Sequence, residues 1–322
     1  MKRRLFFILL FGLMSACVRA YPGATSGPQG YLTPPPAPGT DSLAGGAATP
    51  ESAPPPDGGA SVPSGETAAP SGSVPPLAEP VPYAVVLVSP ESGLNLRAEP
   101  SLNAPVLALL PYDARDLRPT GRQEQAEGFA WAEIETPFGA GWVSAAYLTM
   151  QISPEVFCGN AQVQALVDSF VQAVRNEDGA ALAALVSPVH GLTIRHEWWN
   201  PEVVFDAADV ETLFSAQETY DWGIQDGSGD PLQGRFADVV LPRLQDVVQG
   251  EFSVVCDSLA AGEATGGTAG LVNWPYPNLP FVALYRAAPA DQELDWRTWA
   301  LGIVWWQGRP YLAALVQYHW EI

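Results

Sequence analysis

Between Val18 and about Pro82 the sequence has nothing to bury, and this confines folding to what comes after it. The stretch is built from Pro, Ala, Gly, Ser and Thr, with Pro34-Pro35-Pro36 and Pro54-Pro55-Pro56 as dense runs, and it has no apolar periodicity. Without apolar surface to hide, the entropy lost on ordering is not recovered and no core forms. The Pro clusters favour stiff polyproline II pieces, and the Gly-Ser pieces between them bend. A coil of about 65 residues reaches roughly 45 Å, and a fully extended one about 200 Å. Residues 17–82 therefore read as a disordered tether.

Ahead of the tether, Lys2, Arg3 and Arg4 precede an uninterrupted apolar run from Leu5 to Met14. Ten helical residues span roughly 15 Å, about half a bilayer core, so residues 1–16 read as a secretory signal rather than a transmembrane helix. Leu13-Met14-Ser15-Ala16-Cys17 resembles a bacterial lipobox, with Met14 where the pattern usually has Leu. The resemblance implies cleavage before Cys17 and a diacylglycerol on its thiol. Two or three acyl chains then give stable anchoring where one does not. The other reading is an ordinary signal cut at Ala16 or Ala20. No other stretch approaches 18 apolar residues. The expected location is extracytoplasmic, on the cell membrane through a lipid, at the cell surface or on the periplasmic side.

Charge excludes one class of partner. Loss of the leader removes the single Lys and two Arg, leaving 12 basic residues, all Arg, against 35 acidic ones, a net of −23. Such a chain repels phosphate backbones and anionic lipid, so no nucleic acid is expected as a partner. With Cys17 lipidated, Cys158 and Cys256 remain, an even number in an oxidising compartment. The readings are a disulfide or two buried thiols, and the disulfide is the expectation.

Residues 83–150 alternate short apolar runs with turn signals. Tyr83 to Val88, Leu94 to Arg97, Val106 to Leu110, Trp131 to Glu135 and Gly141 to Leu148 predict about five strands and a small β-barrel. Leu94-Asn95-Leu96-Arg97-Ala98-Glu99-Pro100-Ser101, then Ala104-Pro105-Val106, Trp131, Gly139-x-Gly141-Trp142-Val143 and Tyr147-Leu148 resemble the bacterial Src-homology-3 domain. Tyr112-Asp113-Ala114 departs from it, where the family commonly has a glycine turn. The resemblance implies a module that docks to cell wall or a partner, or a spacer. Asn95 and Arg97 alternate with two core-facing leucines and are expected to face outward. Trp142 either lines a groove or belongs to the core.

Residues 155–322 begin with helices and end with strands. Val163, Leu166, Val167, Phe170, Val171 and Val174 form one apolar stripe behind the N-cap Asn160. A second short helix over Ala180 to Val186, a strand over Leu192 to Trp198 and a helix capped by Asp206 or Asp209 follow. Pro242 must kink or restart the helical run Phe236 to Val248. Glu251 to Asp257, Phe281 to Arg286, Trp296 to Trp306 and Tyr311 to Trp320 read as strands, the last two joined by a turn at Gln307-Gly308-Arg309-Pro310. The fold class is therefore multidomain: a small all-β Src-homology-3-like barrel, then an α+β domain with helices packed on a curved antiparallel sheet. The element order resembles the cone-shaped fold of nuclear transport factor 2. His190-Gly191-Leu192, Tyr220-Asp221-Trp222-Gly223, Asp226-Gly227-Ser228-Gly229, Asp295-Trp296 and Tyr318-His319-Trp320-Glu321-Ile322 are similar to an uncharacterised family of secreted bacterial domains. That likeness implies no activity.

Chemistry is sparse. Asp226-Gly227-Ser228-Gly229-Asp230 opens like a calcium loop, but Pro231 stands where the loop needs Gly and Ala237 where it needs Glu, so a Gly-rich turn is the stronger reading. His190, His196 and His319 are the only histidines. Continued strand would send His196 and Glu197 to opposite faces, and no zinc-protease helix, nucleophile elbow or Cys-His pair is present. No catalytic residue, metal or cofactor is expected. The candidate ligand contacts are Asn95, Arg97, Trp142, Arg195, His196, Trp222, Asp226 and Asp230. The pairs Trp198-Trp199 and Trp305-Trp306 place one ring each in a core and leave the other to a second layer of helices over the other face of the sheet or to an exposed binding face. These readings predict a monomeric, non-enzymatic envelope protein whose partners are the membrane, through its lipid, and peptidoglycan or an envelope protein. The alternative is an envelope enzyme acting on wall material through Glu197, Asp221 or Asp226 in a cone-shaped cavity.

Overall fold

The computed structural model describes residues 80–259 and 274–320. The signal, Cys17, the tether and Glu321-Ile322 lie outside them. In the first part, β1 (Tyr83–Val85) pairs antiparallel with β7 (Leu148–Met150). Between them β2 (Leu94–Arg97), β3 (Val106–Leu110), β4 (Arg118–Ala126), β5 (Phe129–Thr136) and β6 (Gly139–Ser144) form a sheet of order β3-β2-β6-β5-β4. The expected strands are present. β4 is the addition, and its exposed polar sequence carries no apolar alternation to announce it. Leu94, Leu96, Ile134, Val143 and Leu148 fill the barrel.

The second part opens with α1 (Pro154–Cys158), α2 (Ala161–Asn176) and α3 (Gly179–Ala183). Asn160 caps α2, its side-chain oxygen accepting from the Gln162 and Val163 amides, and the whole Val163–Val174 stripe is buried. β8 (Leu192–Arg195), β9 (Val203–Phe205), α4 (Ala207–Thr212) and a hairpin of β10 (Tyr220–Ile224) and β11 (Pro231–Gly234) follow. Pro242 does restart the helix. α5 (Phe236–Val239) gives way to α6 (Leu241–Val248) with the proline in its first turn, where a missing N–H costs nothing. β12 (Ser253–Cys256), β13 (Phe281–Arg286), β14 (Arg297–Trp306) and β15 (Arg309–His319) complete a six-stranded sheet of order β12-β13-β14-β15-β8-β9, which is mixed rather than antiparallel as expected, because β15 pairs parallel with β8. Gln307 and Gly308 both have positive φ, as a two-residue hairpin turn requires.

The sheet buries both faces. Trp299, Leu301, Ile303 and Leu315 face the helices. Ala300, Val304, Val316 and Tyr318 face the other way, where they meet Tyr276, Leu279 and Val86, the last just beyond β1 of the barrel. The second layer anticipated for the tryptophans is thus no helix layer but the segment before β13 together with the barrel. Among the described residues, which include all eleven Trp, no Trp is exposed, so the alternative of an exposed tryptophan face is corrected. Cys158 and Cys256 are joined, tying α1 to edge strand β12. No helix among the described residues is long and apolar enough to cross a membrane.

Candidate functional site

A polar cleft of about 280 Å³ opens at the end of the helix-covered side of the sheet, with His196, Glu197, Asp226, Arg243 and His319 in its walls. Three elements build it. The first is the turn that follows β8. The strand stops at Arg195, earlier than its apolar pattern suggests, and His196 and Glu197 therefore turn into the same cleft rather than to opposite faces. Arg195 fixes that turn: its Nη1 donates to the Asn200 carbonyl at 2.9 Å, its Nη2 to Glu202 at 2.6 Å and its Nε to the Tyr276 hydroxyl at 3.1 Å. Arg195 is a positioning residue here, with its donors spent inside the protein.

The second element is the β10–β11 hairpin. Asn200, only 1% exposed, exchanges two hydrogen bonds of 3.0 Å with the backbone of Ile224, as a strand would. This brings Gln225, Asp226 and Leu232 against the His196 turn. Gly223 is obligatory at this junction: its φ is +100°, and a Cβ would stand 2.1 Å from the Asn200 Oδ1. The third element is α6, held to the sheet by a Trp299 Nε1 bond of 3.1 Å to the Arg243 carbonyl.

Glu197 lies between two histidines. Its Oε1 is 3.1 Å from His196 Nδ1 and its Oε2 is 3.0 Å from His319 Nε2. Neither contact has good hydrogen-bond geometry, so His196 Nδ1 and Glu197 Oε2 keep bonding capacity unfilled. Burial pushes the Glu197 carboxyl up, but the two imidazoles together outweigh it and hold it below its ordinary range. For His319, burial opposes the charged form, yet the contact and charge of Glu197 and the Trp320 carbonyl raise its pKa. His319 Nδ1 lies 2.6 Å from that carbonyl, which only accepts, so Nδ1 carries a proton. Its Nε2 faces Glu197 Oε2, which favours the charged form of the ring.

Behind His319 stands a row of basic residues in strand register, His319 opposite Arg297 and Arg297 opposite Arg286. Asp246 and Asp295 pair with both arginines. Asp238, on the cleft wall, is held by Arg235 at 2.6 Å. Among the described residues, no group of three or more His, Cys, Asp or Glu is arranged to hold a metal ion.

The other candidates fall elsewhere. Trp222 is fully buried, its Nε1 donating to the Gly234 carbonyl at 3.0 Å, and is a core residue rather than a ligand contact. Trp142 is 4% exposed, with the Arg122 guanidinium 5.0 Å above its ring, and lines no open groove. Asp230 is exposed on the hairpin turn, its backbone amide donating to Ser228 Oγ at 3.2 Å. Asn95 is exposed on the outer face of the barrel, while Arg97 donates to the Ala104 carbonyl at 2.9 Å. Sequence reasoning placed His196 and Asp226 on the site but missed Arg243 and His319, which reach it from distant elements.

Residues 92–149 match the family model of the bacterial SH3 domain, covering β2 through nearly all of β7. No curated protein and no solved structure matches the chain.

Proposed function

We propose that this is a lipid-anchored binding protein of the bacterial envelope, whose barrel docks on cell-wall peptidoglycan. The match of residues 92–149 to the bacterial SH3 domain carries the reading, since such domains often bind cell wall. The leader, the lipobox-like Cys17 and a disulfide suited to an oxidising compartment support the location. The barrel also presents a surface for docking. Val106, Leu107 and Leu109 are exposed on edge strand β3, and Leu109 is paired with the exposed Asn95. Clustered exposed apolar side chains on a small domain mark an interaction surface.

The test is sedimentation of the mature protein with purified peptidoglycan. Binding is expected, and Leu107→Asp with Leu109→Asp should abolish it while leaving the melting temperature unchanged. An intact protein that stays in the supernatant overturns the reading. Removing residues 83–150 is a poor test, because the barrel shares its core with the rest of the protein.

The second reading, an envelope enzyme working through carboxylates, draws on the burial of Glu197 beside His196 in a cleft. Two imidazoles clamp that carboxylate in its ionised form, which makes it a weak base and removes it as an acid. Asp221 is exposed, its carboxylate accepting from the Gly223 amide at 3.0 Å. Binding remains the better account.

A further inference from the structure

We infer that the cleft between the His196 turn, the β10–β11 hairpin and α6 binds the C-terminal end of a short peptide, its carboxylate on Arg243 and its last amide N–H on His196.

The argument begins with charge. The mature chain carries a net −23, so its long-range field repels anions, and a carboxylate is held only where a cation is locally unspent. Arg243 is such a cation. It is exposed on the cleft wall, and among the described residues its guanidinium makes no ion pair or hydrogen bond. Its neighbours Arg286 and Arg297 are spent on Asp246 and Asp295, and Arg235 on Asp238. Three nearby carboxylates are likewise occupied, Glu197 between its two imidazoles and Asp246 and Asp238 on their own arginines, and Asp226, on the facing wall, makes no ion pair with Arg243. A planar guanidinium with five donors matches a carboxylate in two-point geometry.

The rest of the cleft fits the group beside that carboxylate. His196 turns Nδ1 toward Glu197 Oε1 at 3.1 Å, so Nε2 is the ring nitrogen placed to accept from a ligand N–H. Asp226, on the facing wall, is a second acceptor. Acceptors next to one free cation suit a ligand that joins a carboxylate to an N–H donor, as a peptide C-terminus does. Leu232 and Val239 supply the apolar contact for a small side chain, and about 280 Å³ admits one or two residues.

Isothermal titration calorimetry of the mature protein tests this with N-acetyl-dialanine and its C-terminal amide as probes. The acid should bind, and the amide should bind about tenfold more weakly or worse. Arg243→Gln should bring the acid down to the level of the amide without changing the melting temperature, because the side chain is exposed. Arg243→Lys should fall between, keeping charge but losing the two-point match. Equal affinity for the two probes, no binding of the acid, or an unchanged acid affinity in Arg243→Gln overturns the inference. It does not rest on the barrel: sedimentation with peptidoglycan reads the Leu107 and Leu109 surface, and the soluble probes read the cleft.

Discussion

Trp306, at the end of β14, is buried in the core of the barrel, stacked on Tyr83 of β1 with ring centroids 5.7 Å apart. The exchange runs both ways. Val86, just past β1, packs into the outer face of the six-stranded sheet, and the Asn278 side chain donates to the Val85 carbonyl at 2.8 Å. Thr149 of β7 accepts from the Trp305 amide at 2.8 Å. Barrel and sheet are therefore expected to unfold as one unit. Trp306→Ala should cost about 3–5 kcal/mol and lower the single transition seen by calorimetry. Two resolved transitions, only one of them sensitive to Trp306, would contradict the shared core.

His190 pins the same junction. Its Nε2 lies 2.7 Å from the Leu148 carbonyl of the barrel, so that nitrogen carries the proton and Nδ1 accepts from the Ser187 hydroxyl at 2.6 Å. Burial pushes the His190 pKa down to about 4, against a partial upward pull from the Leu148 bond. The unfolded chain then takes up this proton first as pH falls. Stability is complete above about pH 6.5 and declines toward pH 4, by on the order of 3 kcal/mol. Urea unfolding across that range should show the decline, and His190→Gln should flatten it. An equal slope in the variant assigns the acid sensitivity to other groups.

The Glu197–His319 pair gives the opposite sign for its histidine. The folded pKa of His319 lies above its ordinary 6.5, so its contribution is full below that value and fades as pH rises through the raised one. Glu197, with a folded pKa below 4.5, contributes above that value and loses its contribution as pH falls through the lowered one. Titration of the His319 ring by NMR should give a pKa above 6.5, and Glu197→Gln should move it down, since burial then loses its main opponent. A ring that titrates identically in both proteins would sever the two residues electrostatically.

The disulfide closes a long loop, Cys158 and Cys256 being 98 residues apart. In the chain-entropy model a loop of about 100 residues is worth roughly 4.7 kcal/mol. Reduction, or Cys158→Ser with Cys256→Ser, should lower the denaturation midpoint accordingly and release edge strand β12 first, seen as faster amide exchange over Ser253–Cys256. Unchanged exchange in that strand would mean that pairing with β13 alone secures it.

Local signals wrote much of this protein into its sequence. The Val163–Val174 stripe specifies α2 because helical period and burial agree, and Asn160 starts it because its side chain has only local amides to satisfy. Pro242 sets the break between α5 and α6 for the same kind of reason, a backbone constraint independent of what surrounds it. The barrel strands were legible from their alternation and turns, and the family match over residues 92–149 agrees. The leader and tether are readings of composition alone and lie outside the described residues. The β10–β11 hairpin escaped because β11, Pro231-Leu232-Gln233-Gly234, is short and has no apolar alternation to mark it as the partner of β10. The cleft was hidden for a different reason. Whether Glu197 meets His319, whether Arg243 is left unpaired, and whether Trp222 or Trp142 reaches solvent depend on which distant elements the sheet brings together. The end of β8 at Arg195 is of this kind too. Apolar pattern would have carried the strand further, but Asn200 bonded to Ile224 and Arg195 bonded to the turn hold the chain out of the sheet. Periodicity records which side of an element is buried, and only the tertiary structure decides what buries it.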